Sequence, residues 1–256
     1  MGFIRGGLLI IAGVLLFLLF LAGNSFLTLS LSLNYENIEP ELFSVIETFV
    51  EDEADIKEEI ENQYPFMEDF CQNNSEFVFN SKEVGQVFVI PCDVVFQGYD
   101  SILEYSIESY VEKIYYQEYD CGFWDCLGKA DIPFFLISAK AKSYWNNKFY
   151  FSLIISVVLV ALMFFLVEKK TNLLVIVGGL LAISALPFMK INWALSFFNK
   201  SFLQFFTIFF SKAYSVFLIS FIFGIVLLGI GILLKFVGVG LWISNLFNRK
   251  NKSFKD

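Results

Sequence analysis

Four long apolar runs, separated by polar segments, set the pattern of the chain. They cover residues 6–33, 149–167, 173–189 and 213–234, and none of them contains a charged residue. About 20 apolar residues are enough for a helix to cross the ~30 Å hydrocarbon layer of a membrane. The pattern therefore predicts a mainly α-helical membrane protein built on a four-transmembrane-helix bundle.

The first run has an alternative interpretation as a cleaved signal peptide. Arg5 precedes it, and the small residues Ala22 and Gly23 lie where a signal peptidase would cut. The apolar core of a signal peptide is only about 7–15 residues long, however, and this run continues as far as Leu33. We expect the segment 6–33 to be retained as the first transmembrane helix and its outer extension.

The distribution of basic residues predicts the orientation of the four spans. Lysine and arginine near span ends stay mainly in the cytoplasm. If residues 1–5 are cytoplasmic, so are the loop after Val167 and the basic tail within 235–256. The segment 34–148 then lies outside, and it holds 24 acidic but only 7 basic residues. The prediction is a cell-membrane protein with both termini in the cytoplasm and an extracytoplasmic domain between helices 1 and 2.

Sequence patterns within 34–148 predict a helix-rich α+β domain. Apolar residues recur at helical spacing from Pro40 to about Asn62, and a capping-box pattern at Ser101 and Glu104 precedes a second helix. The β-rich runs 77–79 and 86–90 predict a short hairpin. A further helix is expected to start near Pro133 and to continue without a break to Val167.

All four cysteines lie in this acidic segment, which predicts two disulfides. An even number of cysteines in an oxidising compartment favours structural bridges, although four cysteines allow three pairings. We favour Cys71 with Cys92, across the hairpin, and Cys121 with Cys126. A zinc site and free or redox-active thiols are the alternatives, but the spacings lack the paired C-x-x-C motifs that those functions commonly use.

The segment 190–212 separates the last two spans and has an amphipathic pattern. Polar residues recur every three or four positions opposite a face rich in phenylalanine. This pattern predicts a helix lying in the outer membrane interface. A fifth span is the alternative, but it would place Lys200 near the middle of the bilayer at a cost of about 2.5–3.5 kcal/mol.

Small residues within and just after the last two apolar runs predict close contacts between helices. Gly178 and Ala182 are four residues apart, and Gly224, Gly231 and Gly238 recur every seven residues. Small residues at such spacings let helix backbones approach closely within a membrane. We interpret them as packing positions within the bundle, with a homo-oligomer interface as the alternative.

Charge and composition exclude several functions. The net charge is −8, which argues against a nucleic-acid partner, and the absence of histidine removes triads and metal sites that need it. The acidic run 51–55 lacks the pattern of a calcium loop and is expected to be a solvated face. No catalytic, metal or cofactor site is predicted.

These observations favour a non-enzymatic interaction or scaffold protein. The expected partners are the lipid bilayer and either an extracytoplasmic protein or a second copy of the chain. A transporter or channel subunit is the alternative, and it would need polar groups inside the bundle. With the first span counted from Gly6 to Gly23, the four spans offer only serines: Ser152, Ser156, Ser184, Ser215 and Ser220. A membrane-embedded enzyme ranks third, because no pair of carboxylates or hydroxyls stands out.

Overall fold

The structure is a computed structural model that describes residues 3–52, 54–81, 86–128, 132–191 and 207–252. The chain forms two compact units, one made of Met1–Ser32 and Ser143–Asp256 and the other of Leu33–Lys142. The second unit ends six residues before the predicted domain boundary at residue 148.

The described elements are mostly helices. In chain order they are α1 (Phe3–Ser32), α2 (Tyr35–Asp52), α3 (Ala54–Cys71), β1 (Glu76–Ser81), β2 (Gln86–Pro91), α4 (Cys92–Val95), α5 (Tyr99–Tyr115), α6 (Phe123–Leu127), α7 (Ile132–Leu136), α8 (Ala139–Leu166), α9 (Lys170–Ala185), a 3-10 turn (Leu186–Met189) and α10 (Ala213–Lys252). The helix-rich fold with one small two-stranded sheet agrees with the class expected from the sequence.

Four helical segments are long and apolar enough to cross a membrane. They are Ile4–Ser32, Ala139–Leu166, Lys170–Met189 and Thr207–Val237. The prediction of four apolar helices of spanning length is therefore confirmed. The helix of the second span begins ten residues before the predicted start at Phe149, and α10 continues past Leu234 to Lys252.

The four helices alternate in direction. Arg5 at the start of α1 contacts the end of α8, whereas Phe26 stacks on Trp145 with 5.8 Å between ring centroids. The two ends of the bundle can thus be named the Arg5 end and the Ser32 end. An apolar cluster fills the half towards the Arg5 end, and its buried members are Ala12, Leu16, Met163, Val167, Leu173 and Val177.

Residues 192–206, which make up most of the predicted interfacial helix, lie outside the described part of the chain. The described residues on either side of the segment meet at the Ser32 end. Phe188 and Ala213 belong to one buried cluster, and the Lys212 amide donates to Ser32 Oγ at 3.1 Å. The chain therefore enters and leaves this segment at the same end of the bundle.

The second unit is built around the predicted hairpin. β1 and β2 pair antiparallel, with Phe77 opposite Ile90 and Phe79 opposite Phe88. Because side chains alternate across a strand, Phe77, Phe79 and Ile90 fall on one face, where they are buried. That face packs on residues of the neighbouring helices: Ile60, Met67, Cys71, Cys92, Val95 and Ile102.

The predicted continuous helix from Pro133 to Val167 is wrong, because it is interrupted between α7 and α8. The reason is a local capping signal at Ser138. Its hydroxyl accepts the Ala141 amide at 3.3 Å and donates to the Phe135 carbonyl at 2.7 Å. A serine that accepts an early amide of a helix is a favourable N-cap, so α8 begins at Ala139.

Two further helix boundaries differ from the prediction. The helix expected over 40–62 falls within α2 and α3, which begin at Tyr35 and end at Cys71; residue 53 between them lies outside the described residues. The helix with the capping-box pattern begins at Tyr99, two residues before Ser101, and its N-cap is Gly98. Gly98 has φ of 111°, a left-handed conformation that glycine adopts without steric cost.

Candidate functional site

The four cysteines form two pairs. Cys71 is bonded to Cys92 with 5.3 Å between their Cα atoms, and Cys121 to Cys126 with 5.4 Å. These are the two pairings that the sequence analysis favoured. The first bridge lies within the hairpin core and joins the end of α3 to the start of α4. It therefore ties α3 to α4 beside the sheet.

The predicted packing residues of the last two spans lie at the closest approach of α9 and α10. A Cβ placed on Gly178 would lie 2.5 Å from the Leu228 amide nitrogen and 2.7 Å from the Gly224 carbonyl oxygen. A Cβ on Gly224 would lie 2.7 Å from the Ala182 amide nitrogen. The two backbones touch directly at these positions, so neither glycine leaves room for a side chain.

Gly231 extends the same contact towards the Arg5 end. A Cβ on Gly231 would lie 2.9 Å from both the amide nitrogen and the Cγ2 atom of Val175. The side-chain surroundings of Gly238 fall outside the described residues, so its predicted packing role stays a prediction. The three described glycines place α9 and α10 in close antiparallel contact within the bundle.

A polar cluster around Asn24 connects three of the four spans. Ser220 of α10 donates a hydrogen bond to Asn24 Oδ1 at 2.7 Å, and Asn24 Nδ2 donates to Ser184 Oγ of α9 at 3.4 Å. Thr28 donates to the Asn24 carbonyl at 2.8 Å. All four side chains are buried. In apolar surroundings a buried polar side chain without a hydrogen-bond partner costs free energy, so these bonds fix the relative rotation of the helices.

Sequence reasoning missed this cluster because it takes the core of the first span as Gly6 to Gly23, which ends one residue before Asn24. Asn24, Thr28 and Ser32 recur every four residues in the outer extension of the first run, so they share one face of a helix. In the structure this face is buried. The i, i+4 spacing of polar residues inside an apolar run was the signal available in the sequence.

Replacing Asn24 by alanine should destabilise the bundle by about 1 kcal/mol, the usual size of a hydrogen-bond loss between membrane helices. The variant removes the acceptor of Ser220 and the donor to Ser184 together. The measurement is the thermal unfolding midpoint in detergent micelles. Ser25→Ala is the control, because the Ser25 hydroxyl donates to Leu21 of its own helix. Equal midpoints for both variants would contradict the role of Asn24.

A cavity of about 470 Å³ adjoins the polar cluster. Residues of all four spans line it; the α1 residues, in a helix that hydrogen bonds connect to both α8 and α10, are here called the floor. The lining includes Leu19, Phe20, Gly23, Asn24, Leu27, Phe149, Ser152, Leu153, Ser156, Val157, Val160, Val177, Leu181, Ile219, Ser220, Phe223 and Leu227. Asn24 and three serines are polar, Gly23 has no side chain, and the other lining side chains are apolar.

The second unit carries a different candidate surface on the outward face of its hairpin. Val78 and Val89 are opposite each other, and Val87 is the next residue of β2 on the same face. Their exposed fractions are 61 %, 48 % and 52 %. Three half-exposed valines on a sheet whose other face forms the core are a solvent-facing apolar patch, here named the valine face.

A tyrosine cluster packs at the start of the second unit. The Tyr35 ring lies 5.2 Å from the Tyr115 ring, and the Tyr115 hydroxyl donates to the Leu33 carbonyl at 2.9 Å. Burial raises the pKa of Tyr115 to about 12. Burial also raises the pKa of Tyr35 to about 12, with a further contribution from the negative charge of Glu39. Both phenols remain protonated near neutral pH, so Tyr115 keeps its donor role.

Metal ligation has no candidate among the residues that the structure describes, since no three His, Cys, Asp or Glu side chains there are grouped as a metal site requires. The described geometry instead offers the valine face, the Asn24 cluster and the cavity between spans. Comparisons with protein-family models, with curated proteins and with solved structures found no match for this chain.

Proposed function

We propose that this chain is a non-enzymatic membrane protein that presents the unit Leu33–Lys142 outside the cytoplasm to a partner protein. Membrane placement is supported by the four apolar helices and by the many apolar side chains on their outer surfaces. A soluble monomer rarely exposes so much contiguous apolar area. In a bilayer the same side chains contact lipid tails at no cost.

The proposed orientation is supported by the charges at the Arg5 end. The Arg5 guanidinium donates to the Leu166 and Phe165 carbonyls at 2.6 Å and 3.2 Å. The Lys170 ammonium donates to the Val167 carbonyl at 3.3 Å. These cations complement the negative end of the α8 dipole, and basic residues at span ends favour the cytoplasm. The acidic unit, which follows Ser32, then lies on the other side.

The valine face is the observation that carries the partner proposal. The hairpin core is complete on the opposite face, so the fold does not need apolar residues at Val78, Val87 and Val89. Exposed apolar patches rimmed by polar residues are typical of protein interaction sites. Because the unit is strongly acidic, the matching partner surface has an apolar centre and basic residues around it.

Site-specific photo-crosslinking on intact cells tests this proposal. A benzophenone amino acid replaces Val87 or Val89 in turn, and Glu104, exposed on α5, is the control position. We expect one crosslinked protein from both valine positions and not from Glu104. A Val78→Lys variant with a benzophenone at Val89 should lose the adduct. A variant lacking Tyr35–Lys142 supplies the background for co-purification.

The outcomes of the crosslinking experiment are distinct. An adduct with a different protein supports the interaction role, and an adduct with a second copy of this chain identifies the valine face as a homo-oligomer interface. Adducts of equal yield from Val89 and Glu104, or adducts from neither position, would overturn the proposal. Val78→Lys should leave the unfolding midpoint unchanged, because the Val78 side chain already faces solvent.

The transporter alternative receives less support from the bundle. The buried polar side chains of α1 lie between Asn24 and Ser32. Ser184 and Ser220 bond to Asn24, and Ser152 of α8 donates to the Leu19 carbonyl, slightly nearer the Arg5 end. Towards the Arg5 end, the described interior of the bundle is filled by the apolar cluster that contains Leu16, Met163 and Val177. A polar route would be interrupted there, and no ionisable side chain of the described residues is buried within the spans.

A further inference from the structure

We propose that the cavity between α8 and α10 is a binding site for one acyl chain of a membrane lipid, entering from the leaflet at the Ser32 end. The proposal rests on the membrane placement of the four spans and is independent of the partner of the valine face. All residues that line the cavity belong to the four spans.

The polar groups in the cavity wall favour an apolar occupant. Ser152 donates to the Leu19 carbonyl at 3.0 Å, and Ser156 donates to the Ser152 carbonyl at 2.8 Å. Ser220 donates to Asn24. With each hydroxyl proton already used within the protein, the wall has few donors to offer to water or to a polar ligand. The rest of the lining is hydrocarbon.

The length of the cavity matches one lipid tail. Its α8 wall extends from Phe149 to Val160, which corresponds to about 16 Å of helix rise. That is close to half of the ~30 Å hydrocarbon thickness, the depth that the tails of one leaflet occupy. The α1 floor, Leu19–Leu27, and the α10 lining, Ile219–Leu227, lie in the middle of the bundle and in its half towards the Ser32 end.

The cavity opens sideways onto the surface that faces the bilayer. Leu153 and Val157 on α8, with Ile219 and Phe223 on α10, line the cavity and are also exposed. Its lining is therefore continuous with the lipid-facing surface of the spans. Protein interiors contain few spaces larger than a water molecule, and the volume here is in the range of ligand sites. The nearest apolar chain of suitable length is a lipid tail.

A photoreactive lipid tests the proposal on the full chain. The protein is reconstituted in phosphatidylcholine vesicles doped with a phosphatidylcholine that carries a diazirine in the middle of one tail. After irradiation, labelled positions are located by peptide mass spectrometry. We expect label on the cavity floor at Gly23, Asn24 and Leu27, in addition to label on the outer face of α8 at Val158.

Two matched tryptophan variants separate the site from the general lipid surface. Val157 lines the cavity, whereas its neighbour Val158 is exposed and is not part of the lining. Val157→Trp should lower floor labelling about tenfold, the equivalent of ~1.4 kcal/mol of lost affinity, and Val158→Trp should leave it unchanged. A second pair on α10 repeats the comparison in case one variant misfolds: Ile219→Trp lies in the cavity lining, and Ile222→Trp lies on the exposed face outside it.

The failures of the two proposals are distinguishable. Label at Val158 without label on the floor would overturn the lipid site but not the membrane placement. Equal floor labelling in Val157→Trp and Val158→Trp, repeated in the pair on α10, would likewise overturn the site. Absence of label from both Val158 and the floor would overturn the membrane placement, and the lipid site with it.

Discussion

Replacing Gly178 by valine should prevent α9 and α10 from packing and destabilise the bundle by ~3 kcal/mol or more, at or above the upper end of the usual cost of overpacking. The new Cβ would lie 2.5 Å from the Leu228 amide nitrogen and 2.7 Å from the Gly224 carbonyl oxygen. Both are backbone atoms, so no side-chain rotation relieves the clash. The helices must separate, and the contacts along their interface are lost with them.

Gly229→Val is the matched control for this prediction. Gly229 lies on α10, close to the same interface in sequence, but a Cβ placed there meets no atom within 4 Å. Both substitutions replace a helical glycine by the same β-branched residue, so they change helix propensity equally. The difference between their unfolding midpoints therefore measures the clash. The measurement is the unfolding midpoint in detergent micelles, followed by circular dichroism. Gly224→Val should behave as Gly178→Val, and similar midpoints for Gly178→Val and Gly229→Val would contradict the packing role.

Features that follow from local periodicity were predictable from the sequence. Four apolar runs of spanning length predict four helices, and alternating valines and phenylalanines in 77–79 and 86–90 predict the hairpin. Glycine spacing in the last two spans indicated the surface along which α9 and α10 meet. Each of these patterns is a direct consequence of side-chain geometry along a helix or strand.

Features that depend on a single residue or on a distant partner were harder to predict. Ser138 interrupts a helical pattern with one cap, and Gly98 starts a helix through one positive φ. The contacts of Asn24 with Ser184 and Ser220 join residues about 160 and 196 positions apart. The cavity likewise exists only because four helices, separated in sequence, are arranged around it. Periodicity within one segment carries no information about such arrangements.

Replacing both Cys71 and Cys92 by alanine should destabilise the unit Leu33–Lys142 by about 3 kcal/mol. The bridge joins residues 21 positions apart and so lowers the conformational entropy of the unfolded chain; without it, unfolding gains that entropy. Both sulfurs are buried among Phe77, Ile90 and Val95, so loss of packing adds to the effect. Alanine is preferred to serine here because it adds no hydroxyl to the core.

The second bridge provides the comparison. Cys121 and Cys126 are only 5 residues apart, so the double alanine variant should cost about 2 kcal/mol by the same relation. The measurement is the rate of limited proteolysis within residues 33–142 of the full chain in micelles, with and without reductant. We expect faster cleavage for the Cys71 and Cys92 variant than for the Cys121 and Cys126 variant. Reductant should raise the wild-type rate, and equal rates in all samples would contradict a structural role for the first bridge.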